Sequence, residues 1–197
     1  MIIKETIGVI AVVLSFVAYV PYIRDILKGK TKPHIYSWFV WGFLTTIIFA
    51  LQVKGNGGPG AWVTLSAGVF SFIVFFLGLK HGDKNITKSD TVFFIAALVA
   101  TGIWMFAKQP ALSVILLVSI DMIGFIPTIR KSWKKPHEET LFLWSLNGFR
   151  HGLSILALRQ YSILTVLYPA VWTAANILFS LMLVIRRKNL SVAHSTD

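Results

Sequence analysis

The chain has 197 residues, of which 55% are apolar and only 14% are charged, and its formal net charge is +11. Soluble domains carry about 25% charged residues, so the long apolar stretches predict a protein that lies in a lipid bilayer. Nucleic-acid binding is excluded despite the positive charge, because the basic residues lie between the apolar stretches and form no continuous face. Cysteine is absent, which excludes a disulfide framework and thiolate chemistry.

Seven stretches of about 20 residues are predicted to be transmembrane helices. In chain order they cover residues 6–26, 35–53, 59–79, 91–107, 110–130, 140–158 and 163–185, with short connectors at 55–59, 108–110 and 159–161. The first stretch lacks a preceding basic region and a cleavage site of small residues, so we expect a spanning helix there and no signal peptide. The predicted fold class is an all-α membrane protein with seven transmembrane helices.

The distribution of Lys and Arg predicts the orientation of the chain. Fourteen of the 19 basic residues lie in loops 1–2, 3–4 and 5–6 and after helix 7, four lie at the other helix ends, and Arg150 lies inside helix 6. Because short loops rich in Lys and Arg stay in the cytoplasm, we expect an outside amino terminus and a cytoplasmic tail at 188–197. The short loops and the lack of cysteine favour a prokaryotic inner membrane.

One sequence pattern occurs twice, at the end of helix 1 and again at the end of helix 5. The copies are Pro-Tyr-Ile-Arg at 21–24 with Lys-Pro-His at 32–34 and Trp41, and Pro-Thr-Ile-Arg at 127–130 with Lys-Pro-His at 135–137 and Trp144. Both copies fall on the predicted cytoplasmic side, so the repeats run parallel, which requires one additional helix between them. The predicted layout is 3+1+3, with a first three-helix repeat at 6–80, a linker helix at 91–107 and a second three-helix repeat at 110–187.

These features resemble the PQ-loop superfamily of membrane transporters, which includes the SWEET sugar facilitators and the cystinosin-like carriers. The resemblance rests on the 3+1+3 layout, the outside amino terminus, and Pro21 and Pro127 near the cytoplasmic end of the first helix of each repeat. The family's Pro-Gln pair is replaced here by Pro21-Tyr22 and Pro127-Thr128, which leaves the subfamily and the substrate open. The resemblance implies that the two prolines are hinges and that Asn176 contributes to a pocket. Prolines with a purely structural role are the alternative.

Strongly polar residues occur inside the apolar stretches of the second repeat. They are Asp121 on helix 5, Asn147, Arg150 and His151 on helix 6, and Asn176 on helix 7, where Trp172 shares its face. Asp121, Arg150 and Asn176 reach a similar depth near the membrane midplane. An ionised side chain costs about 2.5–3.5 kcal/mol at that depth, so we expect Asp121 and Arg150 to face the interior and to pair, directly or through water. In the first repeat, we expect the aromatics Tyr19, Trp38 and Trp41 to be mainly packing or interface anchors.

Three interpretations of Asp121 and Arg150 are open. In the first, the pair locks helix 5 to helix 6 and has no role in binding. In the second, Arg150 binds a carboxylate or phosphate of the substrate through its planar guanidinium. In the third, Asp121, together with His151, takes up and releases a proton during transport.

The function that these patterns predict is transport of a small polar metabolite (a sugar, an amino acid or a small carboxylate) by alternating access at a midplane site between the repeats. The alternative is a seven-helix receptor or interaction protein that binds a ligand without transport. An enzyme is not expected, because the sequence has no metal-ligand cluster, phosphate-binding glycine loop or nucleophile–base pair. No metal or cofactor is predicted. The predicted partners are the solute, protons and the lipid bilayer, and a homo-oligomer is left open.

Overall fold

The computed structural model describes residues 2–104 and 109–193, and this part contains seven α-helices and one short 3-10 helix. The elements are α1 (Ile2–Leu27), α2 (Ile35–Lys54), α3 (Pro59–His81), α4 (Lys88–Trp104), α5 (Pro110–Lys134), the 3-10 helix (Pro136–Glu138), α6 (Leu141–Leu156) and α7 (Ile163–Ala193). The all-α fold class is therefore confirmed. The end of predicted helix 4 at 105–107, the connector residue Lys108 and the tail residues 194–197 lie outside the described residues.

In the described residues, five helices are long and apolar enough to cross a bilayer: α1, α2, α3, α5 and α7. This is the pattern of an integral membrane protein. The described part of α4 has 17 residues and α6 has 16, so both are shorter than these five helices. At 1.5 Å per residue, 16 residues extend about 24 Å, which is less than the roughly 30 Å of the hydrocarbon core.

The bundle exposes many large apolar side chains and buries strongly polar ones beside its apolar core. Large apolar side chains such as Phe16, Phe76 and Leu178 are 54%, 64% and 66% exposed. Asp121 and Arg150, in contrast, are completely buried. In a bilayer the apolar surface faces lipid, and polar groups are satisfied inside the bundle. The polar side chains are thus collected where the helices meet.

For description, helices α1–α3 are named here the first half and helices α5–α7 the second half. In the first half α3 packs against both α1 and α2, and in the second half α7 packs against both α5 and α6. The halves meet where α1 contacts α6 and α2 contacts α5, with smaller contacts of α3 with α6 and of α2 with α7. The remaining helix, α4, packs against α5 and α2.

Prolines interrupt the hydrogen bonding of three helices. Pro21 lies inside α1, which continues to Leu27, and Pro127 lies inside α5, which continues to Lys134. A third proline, Pro169, lies inside α7. Each proline removes one main-chain hydrogen bond, so α1 and α5 are weakened at corresponding positions close to their carboxyl ends.

Candidate functional site

A small cavity lies between the two halves and is lined by side chains from α1, α2, α3, α6 and α7. The lining residues are Tyr19, Trp38, Trp41, Thr45, Ala67, Ser71, Trp144, Asn147, Arg150, His151, Tyr168, Trp172 and Asn176. The cavity volume is about 20 Å³, which is room for about one water molecule. A metabolite therefore fits only after side chains or helices move.

Arg150 is the one described lining residue with a permanent charge, and it is completely buried. Its Nε donates to Asn147 Oδ1 at 2.7 Å. Its Nη1 donates to Ser15 Oγ at 3.2 Å and to the main-chain carbonyl of Val63 at 3.4 Å. The guanidinium carbon lies 5.6 Å from the centre of the Tyr19 ring, within the range of a cation–π contact. All of these partners are neutral, so they orient the guanidinium without neutralising it.

Asp121 on α5 lies behind the cavity wall and is also completely buried. Its Oδ2 accepts a hydrogen bond from Trp172 Nε1 at 2.7 Å, and its main-chain carbonyl accepts one from Trp41 Nε1 at 3.3 Å. Its Oδ1 has no hydrogen-bond partner in the described part of the chain. Both tryptophans line the cavity and come from different halves, so they connect Asp121 to the cavity wall.

Asp121 and Arg150 form no direct pair in the described residues, which contradicts the direct form of the predicted pair. Within residues 2–104 and 109–193, no ion pair includes either side chain. The reason is that α7 packs against both α5 and α6, and α6 directs Arg150 toward α1 and α3 while α5 carries Asp121 toward α2 and α7. Equal depth in the membrane does not make two residues neighbours. A direct ion pair that locks helix 5 to helix 6 is absent from the described residues for the same reason.

Two buried atoms of the lining have unused hydrogen-bonding capacity. Asn176 Nδ2 donates to the main-chain carbonyl of Trp172 at 2.6 Å, but Asn176 Oδ1 has no partner in the described residues. The same holds for His151 Nδ1. The His151 ring packs edge-to-face against Tyr168, with 5.7 Å between the ring centres. These atoms provide both donor and acceptor capacity beside the cavity.

The predicted site residues are brought together, with one exception. Asn147, Arg150, His151, Trp172 and Asn176 all line the cavity. Asp121 is separated from it by Trp172.

Sequence analysis missed most of the aromatic lining. Tyr19, Trp38 and Trp41, expected to be packing or interface anchors, are buried and line the cavity. Trp41 meets Trp144 edge-to-face at 5.9 Å and Trp172 at 5.4 Å between ring centres. The repeat-related pair of Trp41 and Trp144 was the one sequence signal that could have identified this group.

The two halves also meet at the end of the bundle that carries the α1–α2, α3–α4 and α5–α6 loops, named here the basic end. Glu139 is buried there and forms an ion pair with the equally buried Lys131. Glu139 Oε2 accepts hydrogen bonds from the Tyr22 hydroxyl and from Trp144 Nε1, both at 3.2 Å. Because Tyr22 belongs to the first half, Glu139 joins the two halves.

The loops at the basic end make further bonds between the halves. The hydroxyl oxygens of Thr31 and Thr140 lie 2.6 Å apart. Lys131 Nζ donates to the main-chain carbonyl of Lys32 at 2.6 Å, and the Lys32 amide donates to the Glu138 carbonyl at 3.1 Å. We name these bonds, together with those of Glu139, the basic-end seal.

The opposite end is closed by a different set of contacts, named here the opposite seal. Arg159 Nη2 lies 2.8 Å from Glu5 Oε1, and Lys4 Nζ donates to a main-chain carbonyl of the α6–α7 loop at 2.6 Å. Gly60 permits close approach of α3 and α6, because a Cβ at this position would lie 2.5 Å from the Ser154 carbonyl oxygen. The two halves are thus in contact at both ends of the bundle.

At the basic end α4 is tied to both halves. Arg130 Nε lies 3.0 Å from Asp90 Oδ1 and Arg130 Nη2 lies 2.5 Å from Asp90 Oδ2. His34 Nε2, from the first half, lies 3.4 Å from the same Oδ2. Burial lowers the pKa of His34 below its usual value, an effect that the neighbouring Asp90 partly offsets. Burial raises the pKa of Asp90, but hydrogen bonds from Thr87 and Arg130 outweigh this and lower it overall.

In the described residues, no group of three or more His, Cys, Asp or Glu side chains could hold a metal ion. No family model, curated protein or solved structure matches this chain. The cavity and the two seals are therefore the features that bear on the function of this chain.

Proposed function

We propose that this protein is a transporter that moves a small polar metabolite across a membrane by alternating access. The observation that carries the proposal is the polar-lined cavity between two halves that are joined at both ends. Such a cavity suits a solute that binds between the halves and leaves toward either end, whichever seal has opened.

The helix contacts support two parallel repeats in a 3+1+3 layout. If α1, α2 and α3 are exchanged for α5, α6 and α7, the contact of α1 with α6 becomes that of α5 with α2. In the same way the contact of α3 with α6 becomes that of α7 with α2, and the packing within one half becomes the packing within the other. This is the behaviour of two repeats related by a pseudo-two-fold axis, with α4 as the linker.

The loop contacts support seven crossings. The α1–α2 and α5–α6 loops touch through the Lys32 amide and the Glu138 carbonyl, and the Asp83 amide after α3 donates to the Pro33 carbonyl at 3.1 Å. Since α3 and α5 both end at the basic end, the chain has to cross the bundle once through α4. The short α6 is surrounded by α1, α3 and α7, and irregular backbone at its ends is tolerated where it is buried in protein. The excess of Lys and Arg assigns the basic end to the cytoplasm.

The resemblance to the PQ-loop superfamily assigns Pro21 and Pro127 as hinges. The residue after each proline bonds to the opposite half: the Tyr22 hydroxyl donates to Glu139, and Thr128 Oγ1 donates to Ser37 Oγ at 2.9 Å. A change in the bend at either proline would therefore act on a bond between the halves. Such coupling is what a hinge in alternating access requires.

The transport cycle then consists of opening one seal while the other stays closed. Opening the basic end separates Tyr22 from Glu139 and Thr31 from Thr140. Opening the other end separates Arg159 from Glu5. Asp121 takes part as a proton-coupling group, because its carboxyl bonds to Trp172 in the cavity wall and is therefore sensitive to changes there.

Uptake by proteoliposomes tests this proposal. Labelled D-glucose, L-serine and D-glycerate represent the three solute classes, and protein-free liposomes give the background. Wild-type protein is expected to show saturable uptake of at least one solute. Ala67→Phe fills the cavity and should abolish uptake, whereas the matched Ala50→Phe, at an exposed position of α2, should not.

The same assay separates transport from a receptor function. A receptor would bind one of these solutes with unchanged affinity in the Ala50→Phe control but would move none of them across the bilayer. Specific binding without flux would therefore replace the transporter proposal by the receptor alternative.

A further inference from the structure

We propose that the transported solute is a small monocarboxylate with an uncharged hydrogen-bonding group such as a hydroxyl, and that Arg150 binds its carboxylate. This inference rests on the proposed function, since it names the substrate class of the same cavity. It depends on the charge balance of the lining and on the buried polar atoms that the protein leaves without partners.

The first argument is the missing counterion of Arg150. In the described residues no ion pair includes this side chain, and its hydrogen-bond partners, Asn147, Ser15 and Val63, are all neutral. A buried charge without a counterion is strongly unfavourable. An anion in the cavity would remove this penalty, so the buried guanidinium favours a negatively charged solute.

The second argument concerns the amount of charge and its geometry. A carboxylate carries one negative charge, whereas a phosphate monoester carries about −1.5 to −2 at neutral pH. One guanidinium therefore balances a carboxylate and leaves a phosphate partly uncompensated. The bonds to Asn147, Ser15 and Val63 use Nε and Nη1, and in our proposal a carboxylate oxygen binds at Nη2, beside the neutral Tyr19 ring. Charge-assisted bonds of this kind are stronger than bonds between neutral groups.

The third argument concerns the rest of the solute. Asn176 Oδ1 is an acceptor, and His151 Nδ1 donates or accepts according to the tautomer, and neither has a partner in the described residues although both residues are at least 95% buried. A hydroxyl group both donates and accepts, so it satisfies either kind of atom. None of the described lining residues is acidic. An ammonium group would therefore lack a counterion, which disfavours zwitterionic amino acids relative to hydroxy acids.

Tryptophan fluorescence of the purified wild-type protein tests the inference, because four of the seven tryptophans line the cavity. The probes are D-glycerate, its neutral analogue glyceramide, L-serine and inorganic phosphate. We expect a saturable change with D-glycerate, and binding at least tenfold weaker for each of the other three. D-glycerate and glyceramide differ only in the group that would meet Arg150. Comparing their binding to the wild-type protein therefore tests whether a carboxylate is required, and this test needs no variant to fold.

Variants connect the selectivity to Arg150. Arg150→Gln should remove the preference of D-glycerate over glyceramide, and Arg150→Lys, which keeps the charge without the planar fork, should restore part of it. The control is Arg24→Gln, since the Arg24 side chain is 62% exposed, and it should bind like the wild type. A preference that persists in Arg150→Gln would overturn the assignment of this residue.

Other outcomes overturn the inference or uphold it independently of transport. Equal binding of glyceramide and D-glycerate, tighter binding of serine or phosphate, or no binding of any probe would overturn it. Saturable uptake of glucose with no D-glycerate binding would overturn it and leave the transporter proposal standing. Selective D-glycerate binding without uptake would uphold the substrate class and refute transport.

Discussion

The substitution Glu139→Gln removes one negative charge from the basic-end seal while keeping nearly the same side-chain shape. In the wild-type chain the side chains of Glu139 and Lys131 are 0% and 2% exposed. Glu139 also accepts hydrogen bonds from Tyr22 and Trp144. The variant keeps one acceptor oxygen, but it leaves the charge of Lys131 buried without a counterion.

The magnitude of the effect follows from that charge. Removing one partner of a buried ion pair costs about 3–5 kcal/mol. The cost applies while the seal is closed, because an open seal lets water reach Lys131 Nζ. At about 1.4 kcal/mol per factor of ten, a loss of about 3 kcal/mol changes the ratio of closed to open molecules by about a hundredfold. We therefore expect Glu139→Gln to favour opening at the basic end.

Cysteine labelling measures this opening. The chain contains no native cysteine, so Ser71→Cys, in the cavity lining and 4% exposed in the wild type, supplies a single reporter. A charged thiol reagent that does not cross the bilayer is added on the basic-end side of oriented vesicles. The labelling rate of Ser71→Cys should be about tenfold to a hundredfold higher when the same chain also carries Glu139→Gln.

A neighbouring residue provides the control for that experiment. Glu138→Gln makes the same change in charge at a partly exposed pair with Lys32, whose separation is 3.2 Å. Pairs of this kind contribute about 0–1 kcal/mol, so labelling should change by less than about fivefold. If a monodisperse Glu139→Gln protein is labelled no faster than the control, the seal is not what closes the basic end.

Asp121→Asn keeps an acceptor for the indole N–H that Asp121 binds, and we expect it to remove the pH dependence of uptake; an unchanged pH profile would rule out proton coupling through this residue. Gly60→Ala places a Cβ 2.5 Å from a carbonyl oxygen of α6, and overpacking costs about 1–3 kcal/mol, so cavity labelling from the opposite end should become faster. In the control Gly152→Ala the new Cβ lies 3.9 Å from its nearest neighbouring atom, so the labelling rate should not change. Burial lowers the pKa of His34, so unfolding promotes its protonation, and the stability it contributes is complete above its usual pKa of about 6.5 and decreases as the pH falls through that value. The melting temperature should therefore fall less on acidification in His34→Gln than in the wild type, and equal pH dependence in both would contradict the effect of burial.

Much of the helix organisation could be predicted from the sequence because apolar length is a local property. Helix 2 was predicted at 35–53 and is found at Ile35–Lys54. The polar residues of the second repeat could be predicted as inward-facing because a charge in contact with lipid is unfavourable. This reasoning placed Arg150 correctly in the interior, and it placed Asn147 and Asn176 beside the same cavity.

The partners of these residues could not be predicted, because depth along a helix does not determine which helix lies next to it. Arg150 bonds to Ser15 of the first half and not to Asp121. Aromatic residues raise a related difficulty, since Trp38 and Trp41 in an apolar stretch suit a lipid interface, a packed core or a binding site equally well. Only the contacts between the halves distinguish these roles.

The most direct test of alternating access is a disulfide across the basic-end seal. The hydroxyl oxygens of Thr31 and Thr140 lie 2.6 Å apart, so cysteines at both positions are close enough to form a disulfide, and no native cysteine competes. The solute is whichever of D-glucose, L-serine and D-glycerate the wild type transports. We would measure its uptake by the Thr31→Cys/Thr140→Cys double variant in the oxidised and in the reduced state, with the single variant Thr31→Cys as the control. Our account predicts that oxidation stops uptake and that reduction raises it at least tenfold. Equal uptake in the oxidised and reduced states would contradict it.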